Sequence, residues 1–160
     1  MHNSCMPPSQ RSIVKPILLA GLIAGTLDMS DAVIFYYIRN HVPPIRIFQS
    51  IATGLLGPAA RTGGWPTAAL GFGLHYLIAT CWAALFIVVA RRVSALRRYA
   101  VAAGLLYGLF VYAAMNYVVL PLSHAAKSTG HTAAIVLINA VAAIVFCIGL
   151  PISLINKRFA

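Results

Sequence analysis

The residues that could do chemistry inside the apolar part of this chain are two acids and a histidine. Asp28 and Asp31 are the only acidic residues among the 160, and both lie in the apolar segment 16–38. His75 lies well inside another apolar segment, 65–90. Ionisable groups in a membrane-spanning segment are costly and usually mark proton, ion or ligand sites. These residue types therefore predict proton exchange or small-ligand binding within a membrane.

Four apolar segments are long enough to position these residues inside a bilayer. A helix over 16–38 would be about 34 Å long, against a hydrocarbon core of about 30 Å. The composition is 61% hydrophobic and 9% charged, which excludes an ordinary soluble domain, where about 25% of residues are charged. We predict an all-α, polytopic membrane protein that is a single domain over 1–160. Its four transmembrane helices form a bundle and span about 16–38, 65–90, 99–122 and 132–155.

The connector between the first two spans predicts one further helix, over 45–56. Its apolar residues share one face: Ile45, Phe48, Ile51 or Ala52, and Leu55. Its polar residues fall outside that face: Arg46, Gln49, Ser50 and Thr53. Pro43 and Pro44 suit its start and Gly57 its end. The pattern is typical of an interfacial amphipathic helix, and a re-entrant hairpin is the alternative.

Basic residues flank the spans unequally. Twelve Lys and Arg against two acids give a net charge of +10. With both termini inside, the inner side would hold Arg11, Lys15, Arg91, Arg92, Arg97, Arg98, Lys157 and Arg158, and the outer side Arg39, Arg46, Arg61 and Lys127. Cytoplasmic loops are enriched in Lys and Arg, so this predicts cytoplasmic termini. We expect the four arginines of 91–98 to meet anionic lipid headgroups. No segment is typical of a nucleic-acid-binding module, so nucleic acid is not an expected partner.

Polar residues of all four spans are predicted to meet at one depth. His75 lies about 15 Å inward from Trp65, and Asp28 about 16 Å inward from Arg39. The third and fourth spans add polar side chains in their outer halves. The predicted ligand or proton site comprises Asp28, Asp31, His75, Tyr112, Asn116 and Asn139. Arg46 and Gln49 are candidates for a counter-ion or lid above it, and the favoured alternative for Arg46 is that it faces lipid headgroups. His124 and His131 are expected to be solvated surface residues, with a pH-sensitive lid formed with Lys127 as the alternative.

Small residues at helical spacing predict where the helices pack. Glycines with this spacing let two backbones approach closely. The predicted packing positions are Gly21, Gly25, Gly71, Gly104 and Gly108. Gly104 and Gly108 are also a candidate contact face for a homo-oligomer, which transport by so small a chain would need.

Two function classes remain open from the residues. The first is proton-linked permeation or small-ligand binding; the second is a structural or assembly subunit whose polar layer only fixes helix packing. A haem or quinone carrier would use His75, but no second histidine lies at matching depth, so no cofactor or metal is expected. Asp28 and Asp31 share one helix, unlike a paired-aspartate protease, so an enzyme is not favoured. Cys81 and Cys147 are expected to be apolar fillers, with a redox pair as the alternative.

Three segments carry a resemblance to a known group. GLIAGTLDMSDA, PPIRIFQSIATGLLG and TAALGFGLHYLIA together resemble uncharacterised bacterial four-span inner-membrane proteins. Those proteins combine an acid in the first span, an arginine and a glutamine in the next segment, and a histidine after glycines. The resemblance covers roughly the first half of the chain. It implies a multi-pass protein of the bacterial inner (cytoplasmic) membrane and directs attention to Asp28, Arg46, Gln49 and His75, without implying an activity.

Overall fold

The computed structural model describes residues 13–125 and 133–159, and every regular element in that part of the chain is helical. Four of these helices are long and apolar enough to cross a membrane. The all-α class is thus confirmed, as is the presence of four helices long and apolar enough to cross a membrane. In chain order the helices are α1 (Val14–Asn40), α2 (Pro44–Leu56), α3 (Gly64–Arg92), α4 (Ser94–Arg98), α5 (Ala100–Leu122) and α6 (Ala134–Phe159).

The bundle has two distinct ends. At one end, α2 joins α1 to α3; at the other, α4 joins α3 to α5. We call these the α2 end and the α4 end. Three residues with predicted roles lie outside the described residues: Arg11, Lys127 and His131. The same holds for Thr132, the predicted start of the fourth span.

Local residue chemistry fixes the turns at the α2 end. After α1, His41 adopts the left-handed conformation (φ 51°), and its N–H is donated to the carbonyl oxygens of Tyr36 and Tyr37. The extended Pro43 then precedes α2, which starts at Pro44, where the missing N–H is not needed. Gly57 (φ 70°) ends α2, because a residue without a Cβ adopts that conformation without strain. The predicted start and end signals of this helix are therefore correct.

The buried face of α2 differs from the predicted apolar face. Gln49 and Thr53 are buried, whereas Leu55 is 55% exposed. The reason lies in α3, where Gly71 allows the backbone of α2 at Phe48 to approach so closely that a Cβ would overlap the Phe48 carbonyl. The two polar side chains can be buried because each donates a hydrogen bond to a backbone carbonyl.

Glycines mediate both principal contacts between membrane-crossing helices. A Cβ on Gly21 would lie 2.7 Å from the Thr80 Cα, so α1 and α3 touch there. In α5, a Cβ on Gly108 would lie 2.5 Å from the Val145 Cα of α6. Gly104 faces Gly149 and Leu150 of the same helix. The face of Gly104 and Gly108, considered above for an oligomer, is therefore occupied within the chain.

Two helices contain a wide, π-helical turn immediately before a proline. The turn in α5 covers Met115–Val119 and is followed by Pro121; the turn in α6 covers Ile144–Gly149 and is followed by Pro151. Proline lacks the N–H for the bond to residue i−4 and its ring clashes with that carbonyl. The i−4 residues, Tyr117 and Cys147, lie inside the two wide turns. Proline thus accounts for both departures from α-helical geometry.

The apolar core lies mainly towards the α4 end. Phe86, Ile87 and Ile152 are at most 2% exposed and pack among alanines of α1 and α3. Large apolar side chains on the outside of each long helix remain exposed, as expected for a surface that faces lipid. Examples are Leu18, Leu22, Leu77, Leu106 and Ile138.

Candidate functional site

A central cavity of about 130 Å³ lies between the four long helices and α2. Asp28 and His75 are the ionisable residues that line it. Its other sides are apolar or aromatic, and α2, α3, α5 and α6 each contribute at least one of them. Representative residues are Ile51 of α2, Trp82 of α3, Met115 of α5 and Ile144 of α6.

Asp28 is the acidic residue of this cavity. Its side chain is partly buried, and no hydrogen bond or ion pair reaches its carboxylate from the described residues. The residue lies near the middle of α1, at membrane depth if α1 crosses a bilayer. A carboxylate with no donor from the protein must take a proton or bind a cation or water from the cavity.

His75 is held by the backbone of α1. Its Nε2 lies 2.8 Å from the carbonyl oxygen of Gly25. Because a carbonyl only accepts, Nε2 must carry the hydrogen, and Nδ1 is the proton-accepting nitrogen of the neutral ring. The ring is only partly buried. Asp28 and His75 therefore share the cavity without forming the direct pair expected from their depths.

Asp31 has a partner in the fourth span. Asn139 donates a hydrogen bond from Nδ2 to Asp31 Oδ2 over 2.8 Å, joining α1 to α6. This contact brings together two residues of the predicted site that lie 108 positions apart in the sequence.

Two further cavities adjoin these groups. One of about 160 Å³ lies between α1 and α6 and is lined by both Asp28 and Asp31. Another, of about 540 Å³, lies nearer the α2 end and is lined by Asp31, Arg39 and Asn139. Neighbouring cavities thus share a carboxylate: Asp31 lines these two, and Asp28 lines the smaller of them and the central cavity.

Tyr112 and Asn116 do not join this site. Asn116 donates from Nδ2 to the Tyr112 carbonyl, and neither residue lines the three cavities. The sequence prediction placed Tyr112 and Asn116 on the face of Gly108 because they follow it in steps of four. An α-helix has 3.6 residues per turn, so residues at this spacing move progressively around its axis. Val111 and Met115, one residue earlier, face the cavity instead.

Arg46 and Gln49 fasten α2 rather than neutralise an acid. Arg46 donates to the Arg61 carbonyl over 2.6 Å and to Gln49 Oε1 over 3.4 Å, and no ion pair joins it to Asp31. Gln49 donates to the Gly64 carbonyl over 3.0 Å at the start of α3. The predicted counter-ion role of Arg46 is thus not observed. The residue through which α2 covers the central cavity is Ile51.

Several residues of the cavity were missed in the sequence. Met115, Ile144 and Ile148 line it, and all three lie in the two π-helical turns. Such turns are frequent at functional sites. The sequence feature that could have indicated these turns is the presence of Pro121 and Pro151 inside predicted spans.

The described residues contain no group of three or more His, Cys, Asp or Glu side chains that could hold a metal ion. Cys81 and Cys147 are free thiols. Comparison of the chain with protein-family models, curated proteins and solved structures gives no match.

Proposed function

We propose that this chain is a small multi-pass membrane protein in which Asp28 takes up a proton or a small cation in the central cavity, for proton-linked permeation or small-ligand binding. The observation that carries the proposal is the Asp28 carboxylate, which lines a cavity in the middle of a span without a hydrogen bond from the described residues. His75 is its partner in proton exchange, through the nitrogen that does not bond to Gly25.

The chemistry of the cavity favours a very small cationic ligand. A volume of about 130 Å³ admits few heavy atoms, and its sides are apolar except at Asp28 and His75. An anion would meet the carboxylates of Asp28 and Asp31, which adjoin the same intermediate cavity. Proton, ammonium and methylammonium fit both the size and the sign of the charge.

A route from the α2 end is the natural access to Asp28. The cavity nearer the α2 end shares Asp31 with the intermediate cavity, which in turn shares Asp28 with the central cavity. Towards the α4 end, Ile87 and Ile152 close the interior. Permeation across the whole bundle therefore requires a rearrangement of the core, whereas binding from the α2 end does not.

The second candidate is a structural or assembly subunit. It is favoured by the hydrogen bonds that join different helices: His75 to Gly25, Asn139 to Asp31, Tyr107 to Trp82 and Ser153 to Ala100. Such bonds fix helix register whatever the function. Asp28 distinguishes the two candidate functions, because it forms no hydrogen bond to another of the described helices.

Asp28→Asn and Asp31→Asn, as a matched pair, test the proposal. In proteoliposomes carrying an internal pH dye and a potassium diffusion potential, wild type should conduct protons faster than empty vesicles. Asp28→Asn should abolish this flux, and methylammonium uptake with it, while its thermal stability in detergent stays the same or rises. Asp31→Asn should keep the flux but lose about 1 kcal/mol, since a charge-assisted bond to Asn139 becomes a neutral one.

Two results would reject the proposal in favour of a structural subunit. One is a wild-type flux and methylammonium binding equal to those of empty vesicles. The other is a clear loss of stability in Asp28→Asn, because a carboxylate that serves only packing must have a partner.

The finer placement in the membrane is part of the proposal. We place the chain in a bacterial inner membrane, with both termini cytoplasmic and α2 in the outer interface, as a member of the four-span group that its first half resembles. The support is the concentration of basic residues at the α4 end and the exposure of Tyr37, Trp65 and Tyr117 near the α2 end. Amphipathic aromatic side chains are typical of membrane interfaces.

A further inference from the structure

An apolar groove of about 370 Å³ runs between α3 and α5 at the α4 end of the bundle. It starts at Leu96, in α4 itself, and reaches Phe110 of α5. Ala103 and Phe110 are seven residues apart on α5, which corresponds to about 10 Å along the helix. The groove therefore extends through much of one leaflet, whose hydrocarbon is about 15 Å thick.

The sides of this groove offer hydrocarbon contacts. Leu85, Val89 and Leu106 line it and are exposed. Tyr107 is the polar side chain that lines it, and its hydroxyl already donates to the Trp82 carbonyl over 2.6 Å. An occupant of the groove would gain apolar contacts and would meet no unsatisfied donor from Tyr107.

Positive charge lies next to the α4 end of the groove. Arg97 and Arg98 follow the groove residue Leu96 directly, and the Arg98 guanidinium lies 5.5 Å from the centre of the Tyr99 ring. Asp28 and Asp31, the two acidic residues of the sequence, belong to α1 and line cavities on the other side of the bundle. No acidic side chain therefore lies beside Arg97 and Arg98 to compete with an anion that binds there.

We propose that this groove and the adjoining arginines bind an anionic phospholipid. One acyl chain lies in the groove between α3 and α5, and the phosphate meets Arg97 and Arg98 at its α4 end. The groove selects a lipid over a free phosphate, and the arginines select an anionic over a zwitterionic headgroup. The site is separate from Asp28, so it stands or falls independently of the proposed function.

Native mass spectrometry of the full chain in detergent tests this site with added phosphatidylglycerol or phosphatidylcholine. Wild type should retain one phosphatidylglycerol in preference to phosphatidylcholine, and added salt should weaken it. The double variant Arg97→Gln/Arg98→Gln should bind it roughly tenfold or more weakly. Both arginines lie at the surface end of the bundle, and retention of the wild-type melting temperature would verify folding.

A second pair of variants tests the groove. Leu106→Trp should reduce phosphatidylglycerol binding because the larger side chain fills the groove. Leu109→Trp should not, because Leu109 is exposed on α5 outside the groove. Glycerol phosphate, which has the headgroup charge without acyl chains, should not displace the lipid. Equal binding of both lipids, unchanged binding in the double arginine variant, or equal effects of the two tryptophan variants would overturn the proposal.

Discussion

The polar residues inside the bundle are of two kinds. His75, Asn139 and Tyr107 each form a hydrogen bond that joins two helices. Asp28 lines a cavity and receives no hydrogen bond from the described residues. Residue type alone did not separate these groups, because an acid and an amide at one depth are equally good candidates for a site. The difference comes from which neighbours the folded helices bring within reach.

For His75, we predict that its hydrogen bond to the Gly25 carbonyl contributes more to stability than the packing of its imidazole ring does. His75→Ala should lower unfolding free energy in mixed micelles by about 1 kcal/mol or more, because the bond to Gly25 is lost and the central cavity enlarges. His75→Gln should recover part of this loss, since its amide can donate to the same carbonyl. Equal stabilities of the alanine and glutamine variants would show that the bond contributes nothing measurable.

At the scale of the elements, close backbone contacts decide how the helices pair. Gly108 touches α6 through backbone atoms, which cannot move aside as a side chain can. Gly73, also within a long helix, would place a Cβ in open space. The two positions form a matched pair for the same substitution.

We therefore expect opposite results from alanine at these two glycines. Gly108→Ala should destabilise the protein by about 1–3 kcal/mol, because the Cβ forces α5 and α6 apart. Gly73→Ala should be neutral or stabilising by up to about 1 kcal/mol, since alanine favours the helix. Thermal unfolding in one detergent compares them. A loss at both positions would indicate that an effect common to both substitutions, such as altered lipid contact, rather than the α5–α6 contact, determines the result.

The positions of the helices along the chain could be predicted from the sequence more fully than the rotation of each helix about its own axis. Hydrophobic length and the signals at Pro44 and Gly57 are local, so the helices appear where expected. Which face of α2 is buried depends on Gly71 of another helix. The exclusion of Tyr112 from the site likewise depends on the helical phase that the contact of Gly108 with α6 sets. Such tertiary constraints have no counterpart in the spacing within one segment.

At the scale of the whole molecule, the two ends of the bundle differ in charge and in accessibility. The α4 end carries Lys15, Lys157 and the arginines that flank α4, and its core is closed. The α2 end has fewer basic residues, and the cavity lined by Asp31 and Arg39 lies on that side. The access proposed above is therefore from the α2 end.

The orientation of these ends can be measured by cysteine labelling. In a background without the native cysteines, Ala59→Cys should react with an impermeant maleimide in intact bacterial cells, because it is exposed at the α2 end. Ser94→Cys, exposed at the α4 end, should react only after the membrane is made permeable. The reverse pattern would put the termini outside and direct the cavities towards the cytoplasm.

The wide turns before Pro121 and Pro151 also determine which side chains surround Asp28. Each contains one residue more than a regular turn and is kept in place by the proline that follows it. Met115 of α5 and Ile144 of α6, the first residues of these turns, both line the central cavity. Two prolines that do not line the cavity themselves therefore decide which apolar side chains face the acid.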